Sequence, residues 1–240
     1  MSTDKPFTKE NLDTYLKELA KVFRKLNGTK MPAEIILIGG AAILANYGFR
    51  DVTYDIDAII LASAAMKDAI NQVGDSMGLP HGWLNADFQK TTSFSKKLLE
   101  VSVYYKTYSN ILTIRTVASE YLVAMKLMSG RQYKNDMSDV AGILWEHQKA
   151  DKPISYEAID KAVTELYSSW SEIPERSVAL LKAAFDSGAY EMLYRDSLES
   201  ERNAKETVIN FNKENPGALK DGAAVNEFLE QARKKQQENM

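Results

Sequence analysis

The sequence predicts an α+β protein with its sheet in the first half and a helical second half. Three observations carry that expectation. Apolar runs of strand length, such as 58–62 and 33–38 (broken by Glu34), fall before residue 117. Beyond Ser119, apolar residues recur at helical spacing in one segment after another. Breakers such as Asn27-Gly28 and Gly78-Leu79-Pro80 stand between the runs. Strands confined to one half, with helices after them, mark a domain at 1–117 and a helical domain at 118–240.

In chain order, Thr8 to Leu26 reads as an amphipathic helix, with Leu12, Leu16, Leu19, Val22, Phe23 and Leu26 on one stripe and Asn27-Gly28 ending it. Glu34–Ile38 reads as a buried strand closed by Gly39-Gly40, and Ala41–Tyr47 as a short helix directly after the glycines. Asp55–Leu61 is a second buried strand and Ala64–Met77 a helix. Leu98–Tyr105 and Ile111–Arg115 are β-rich and form a hairpin around Ser109-Asn110. Helices are then expected near 119–129, 134–148, 156–168, 174–186 and 188–211, with a last, polar and loosely attached one near 222–237. Stripes such as Ile159, Val163 and Tyr167, or Val178, Leu181 and Phe185, require most of this half to pack. The tail after Leu229, EQARKKQQENM, has little apolar area to offset its ordering entropy.

Composition narrows the function classes. With 45% hydrophobic and 26% charged residues over 240 positions, the chain is globular in type. No run of 18 apolar residues is present, and the first ten residues lack an apolar leader core, so the expectation is a cytoplasmic protein with no membrane partner. Residues 1–150 carry 18 basic and 16 acidic side chains, and residues 151–240 carry 12 and 17. That mild imbalance supplies neither a basic tail for nonspecific nucleic-acid binding nor a membrane anchor. The absence of cysteine removes thiol catalysis and thiolate metal sites, and two histidines, His81 and His147, cannot build a histidine-rich centre. A metal here would be held by carboxylate oxygens, which favours magnesium, manganese or calcium.

The stretch carrying chemistry is IGGAAILANYGFRDVTYDIDAII, residues 38–60. Side chains alternate along a strand, so Asp55 and Asp57 share one side while Ile56 and Ala58 take the other. Two carboxylates one pleat apart repel unless a cation lies between them, and magnesium bridging carboxylates and phosphate oxygens suits that arrangement. Gly39-Gly40, after a strand and before a helix, brings bare backbone N–H groups and a helix N-terminus to an anion, most often phosphate. Taken singly, the glycines are also an ordinary strand-to-helix turn and the acids a solvated strand entrance. Their order and spacing together are more specific.

Gly39-Gly40, then fourteen residues, then Asp55-Ile56-Asp57 resembles the signature of the polymerase-β-like nucleotidyltransferase superfamily. The finer text, Arg50-x-x-Thr53-x-Asp55-Ile56-Asp57, is similar to the branch near the AbiEii toxins of abortive-infection and type IV toxin–antitoxin systems. So are Trp83-Leu84-Asn85, the segment 118–131 and Lys134-Asn135-Asp136-Met137-Ser138-Asp139-Val140. The resemblance spans about residues 30–150. It implies a mixed sheet with flanking helices and transfer of a nucleotidyl group from an NTP, with Mg2+ or Mn2+, to an acceptor hydroxyl on RNA or protein. Asp55 and Asp57 would hold the metal, and Gly39 and Gly40, with Arg50 and Thr53 of the same motif, would receive the nucleotide. A cognate antitoxin is an implied partner.

Lys126 is the only charge within Tyr121–Met128. On its own it reads as a snorkelling lysine; the resemblance instead turns it toward the active site to neutralise the triphosphate, with Lys126→Met expected to fold normally. Asp136 and Asp139 share a helix face and, by resemblance, complete the cleft; as residues alone they read equally as first-turn acids. Arg131 reads as a phosphate partner or a helix C-terminal cation. Two departures stand out. Gly40 occupies a position that is often serine, and the only acid in 96–115 able to supply the superfamily's third carboxylate is Glu100, placed on a strand with Ser102 and Tyr104. The alternative reading is therefore a catalytically weak or inactive nucleotide- or partner-binding module. Tyr104, Tyr105 and Tyr108 could stack on a base or simply pack. His81 and His147 read as loop and helix-end residues.

Overall fold

A computed structural model describes residues 5–29 and 31–238. The first four residues, on which part of the leader reading rested, and the last two of the polar tail lie outside them. The chain divides into two compact units. The first runs up to Met125 and takes in Ile159–Ser168; the second holds Lys126–Ala158 and the chain from Ser169 onward. The β structure ends at Val117, whereas the division falls inside a helix, between Met125 and Lys126.

The first unit is built on a five-stranded mixed sheet in the order β3-β2-β1-β5-β4. Its strands are β1 (Ala33–Leu37), β2 (Ile56–Leu61), β3 (Leu84–Asn85), β4 (Ser102–Tyr108) and β5 (Leu112–Val117). β1 is central, antiparallel to β2 with Leu37 opposite Ala58, and parallel to β5 with Ile35 beside Ile114. Flanked on both edges, it is apolar on both faces: Ile35, Ile36 and Leu37 are fully buried. β4 and β5 form the expected hairpin. Tyr108 pairs with Leu112 across a three-residue connection, in which Ser109 (φ 52°) and Asn110 (φ 54°) both sit in the left-handed region and the Ile111 N–H donates to the Tyr108 carbonyl at 3.1 Å.

The helices of this unit follow from their caps and stripes. α1 (Lys9–Asn27) opens on a capping box, in which the Thr8 hydroxyl accepts from the Asn11 N–H and Asn11 Oδ1 accepts from the Thr8 N–H at 2.8 Å. It buries Leu12, Leu16, Leu19 and Phe23, as the periodicity requires. α2 (Gly39–Asn46) buries Ala41–Ala45 without interruption, so it is enclosed rather than amphipathic. α3 (Ala65–Met77) ends at Gly78 in the left-handed conformation. The two-residue β3 escaped the sequence reading because it is too short to show a period.

α4 (Ser119–Ser129) carries the chain out of the first unit and α6 (Tyr156–Tyr167) brings it back. In the first unit Tyr121 donates to Glu165, and the Tyr167 hydroxyl donates to the Ser93 carbonyl at 2.9 Å. The second unit contains α5 (Asp136–Lys149), α7 (Glu175–Ser187), α8 (Tyr190–Glu214) and α9 (Gly222–Glu238). Asp136–Leu144 of α5 are all buried, with α8 alongside. α9 is anchored by its first half, where Val225 and Leu229 join Ala204 and Val208 of α8 in a small apolar cluster. Among the described residues no helix is long and apolar enough to cross a membrane.

Candidate functional site

Within the first unit, β1 feeds directly into α2 beside the entrance of β2. The Ile38 N–H donates to the Asp57 carbonyl at 2.9 Å, which ties the start of α2 to the acidic strand. Ile38, the N-cap, offers no side-chain acceptor to the first turn. The opening N–H groups of α2 are thus of the kind that accept an anion. Gly39 has φ +53°, a conformation that side chains strain to adopt. Gly40 is required for a different reason: a Cβ there would lie 2.7 Å from Thr53 Oγ1 and 3.1 Å from an Arg50 guanidinium nitrogen. The Thr53 hydroxyl and the Arg50 head therefore fill the space that a serine at position 40 would need.

Thr53 is buried and locked in place. Its N–H donates to the Phe7 carbonyl at 2.9 Å and the Phe7 N–H returns a bond to its carbonyl at 2.7 Å. Phe7 is itself fully buried, stacked on Trp83 and edge-on to Tyr15. From this anchor Thr53 Oγ1 lies 3.3 Å from both Asp55 Oδ1 and the Asp55 carbonyl. Asp55 precedes β2 and is exposed, Ile56 is fully buried, and Asp57 is half-buried. Asp55, just ahead of β2, and Asp57, its second residue, thus stand either side of the buried Ile56. In β3, Asn85 stands in register beside Asp57 and accepts from the Asp87 N–H at 2.9 Å. Arg50 Nε donates to the Val52 carbonyl at 3.1 Å, which keeps its guanidinium next to Gly40.

Among the described residues no group of three or more His, Asp or Glu side chains is placed to hold a metal ion. Asp55 and Asp57 nonetheless fit a hard cation such as Mg2+ or Mn2+, which binds through one or two carboxylates and fills its other positions with water and phosphate oxygens. Glu100 is not a third member. Leu98 and Leu99 belong to a 3-10 turn (Lys96–Leu99) capped by the Ser95 hydroxyl, and β4 begins only at Ser102. Glu100 is exposed and pairs with Lys97 three residues back, a spacing that suits a helical turn. β4 is also three strand spacings from β2, about 14 Å. The alternation assumed for Glu100 does not apply, because it is not on a strand.

In the second unit Lys126, Asp136 and Asp139 form a buried cluster, with the partly exposed Arg131 at its edge. Lys126 Nζ lies 2.9 Å from Asp136 Oδ1 and 2.8 Å from Asp139 Oδ2. Its side chain is 8% exposed, so it does not snorkel to solvent. Arg131 binds the outer edge of Asp136 through Nε at 2.8 Å and through its backbone N–H at 3.1 Å. Burial alone would raise the Asp136 pKa, yet Lys126 and Arg131 together hold it well below the usual carboxylate range. Lys134 is exposed in the preceding turn.

Sequence reasoning missed Glu201 of α8, a buried carboxylate in the polar text SLESERNAK. It accepts from the N–H groups of Met137 and Ser138 at 2.7 and 3.3 Å. Burial pushes it up to about 8, with Asp139 adding to the shift and those hydrogen bonds opposing it. No local pattern could have flagged it, since its partners lie more than sixty positions away. The weaker candidates have structural settings. Tyr108 is buried and donates to Asp13, His147 Nδ1 lies 3.0 Å from the Lys152 carbonyl, and His81 is exposed in a turn.

A family model described as "Nucleotidyltransferase of unknown function (DUF6036)" matches residues 14–195, more than half of the chain. Those residues include the Gly-Gly and Asp-x-Asp motifs and the Lys126 cluster, and stop short of Glu201 and α9. No curated protein and no solved structure matches the chain.

Proposed function

Since the chain belongs to this nucleotidyltransferase family, we propose that it moves a nucleotidyl group from an NTP to an acceptor hydroxyl, on an RNA end or a protein side chain. The observation that carries the reading is the placement of Asp55 and Asp57 at the mouth of β2, beside the Gly39-Gly40 start of α2. In the reaction the acceptor hydroxyl gives its proton to water, its oxygen bonds to the α-phosphorus, the α–β phosphoanhydride bond breaks, and pyrophosphate leaves. Asp55 and Asp57 would hold Mg2+ or Mn2+, which when bound neutralises phosphate charge. The N–H groups at Gly39 and Gly40 receive phosphate oxygens. Thr53 orients Asp55, and Arg50 adds a cation at the same helix end. Such catalysis is mostly positioning and charge stabilisation.

One observation favours a second reading, nucleotide binding without transfer: Glu100 stands apart from the Asp pair. Incubation with each labelled NTP, Mg2+ or Mn2+, and total RNA or lysate separates the two. Label on an acceptor, lost in Asp55→Asn/Asp57→Asn, is the result expected of a transferase. Retention of nucleotide without transfer would establish the binding module instead. The finer likeness to AbiEii toxins adds an expectation of growth arrest when the chain is induced in a bacterial host, relieved by the same double substitution or by a cognate antitoxin.

A further inference from the structure

We propose that Glu201 is the positioning residue that fixes the first turn of α5, and through it the Lys126–Asp136–Asp139 ion-pair cluster. A helix leaves its first N–H groups without intrahelical partners, and the N-cap side chain usually satisfies one of them. Asn135, the N-cap of α5, makes no such bond. The task falls to α8. Glu201 Oε1 accepts from the Met137 N–H at 2.7 Å and from the Ser138 N–H at 3.3 Å, and Oε2 lies 3.4 Å from the same Ser138 nitrogen.

Met137 and Ser138 are the residues between Asp136 and Asp139. The peptide units that Glu201 holds are therefore the ones that aim both carboxylates at Lys126 Nζ. Asp136 and Asp139 are almost wholly buried, so a small rotation of this turn cannot be absorbed by solvent. Among the described residues no buried side-chain nitrogen or oxygen lacks a hydrogen-bond partner, so the arrangement holds no slack.

The charges around Glu201 come from three helices. Asp139 on α5 opposes its ionisation, Arg176 on α7 favours it, and Glu230 on α9 acts on Arg176. Burial dominates and raises its pKa into the neutral range. The Oε1 atom accepts both N–H groups whether or not the carboxyl carries a proton. Glutamine should therefore reproduce the contact, and aspartate, one methylene shorter, should withdraw from it. Glu201 also lies beyond the family match at 14–195, so the chain after that match acts on a cluster within it.

The test uses the full chain with Glu201→Asp and Glu201→Gln, neither of which empties the site. Amide hydrogen exchange is followed at Met137 and Ser138, and the Lys126 Nζ signal by NMR. In Glu201→Asp exchange at these two amides should quicken about fivefold or more relative to the rest of α5, as the loss of a cap of about 1 kcal/mol requires. The Lys126 signal should shift with it, and Glu201→Gln should restore both. Unchanged exchange and an unmoved Lys126 signal in Glu201→Asp would overturn the proposal.

Discussion

At the scale of single residues, the crowding at Gly40 and the burial of Lys126 change what substitutions should do. A serine at 40 would force its Cβ against Thr53 Oγ1, an atom fixed by the Phe7 bridge. Gly40→Ser should lower stability by about 1–3 kcal/mol, the usual range for overpacking, and Thr53→Ala in the same chain should recover much of the loss. Thermal melts of the two single variants and the double variant measure that coupling. Lys126→Met was expected to fold normally, but it would remove the ammonium that two buried carboxylates share. Breaking a buried pair costs about 3–5 kcal/mol, so urea denaturation should show a large drop in midpoint. The sequence was enough to single out Asp55, Asp57, Gly39 and Gly40, because short-range spacing in one strand–helix–strand passage defines them. It could not reveal that Thr53 and Arg50 occupy the missing serine's place, nor that Lys126 is already neutralised, because those facts depend on contacts made in three dimensions.

At the scale of elements, α9 divides at Leu229. Before it, Val225 and Leu229 pack on Ala204 and Val208, and Phe228 lies 4.3 Å from Phe211 between ring centroids. After it, the sequence has no large apolar side chain before the terminal Met240. Deleting the chain after Leu229 should leave the melting temperature within a few degrees of wild type, whereas deletion from Val225 should expose the α8 cluster and lower it further. Light scattering with a thermal melt reads both outcomes. The helices were legible because each carries a stripe or a cap, and the hairpin because Ser109-Asn110 sits between two β-rich runs. The stretch before β4 was misread for a physical reason: Leu98 and Leu99 look like strand residues, yet Ser95 caps a 3-10 turn there and the Lys97–Glu100 pair completes it. Local hydrogen bonding outweighed β-propensity over those few residues.

At the scale of the whole molecule, two buried carboxyls set opposite limits on stability with pH. Glu201 has a folded pKa raised from 4.5 to about 8. Its folded state holds the proton more tightly than the unfolded chain, so its contribution is complete below the unfolded value and is lost as pH climbs toward 8. Asp136 is shifted the other way, so its contribution is present above the ordinary carboxylate value and is lost as pH falls below it. Melting temperatures should decline between about pH 4.5 and 8, and Glu201→Gln should flatten the decline. An unchanged slope in that variant would assign the decline to other groups. Composition had already pointed to a globular chain without a spanning helix, and it carries no information on such linkages.

The path of the chain through its two units has a consequence for synthesis. The first unit gives up the chain at Met125 and regains it at Ile159, and only then receives Glu165 for Tyr121 and Tyr167 for Ser93. At roughly 5–20 residues per second, a ribosome needs on the order of 2–9 s to travel from Met125 to Ser168. During that interval the sheet-bearing unit is unfinished, with the place of α6 still bare. Nascent chains arrested before Ile159 should be cut readily by protease within the first unit, and chains extended well past Ser168 should resist. The sheet-bearing unit is thus finished by residues that are synthesised only after the second unit has begun.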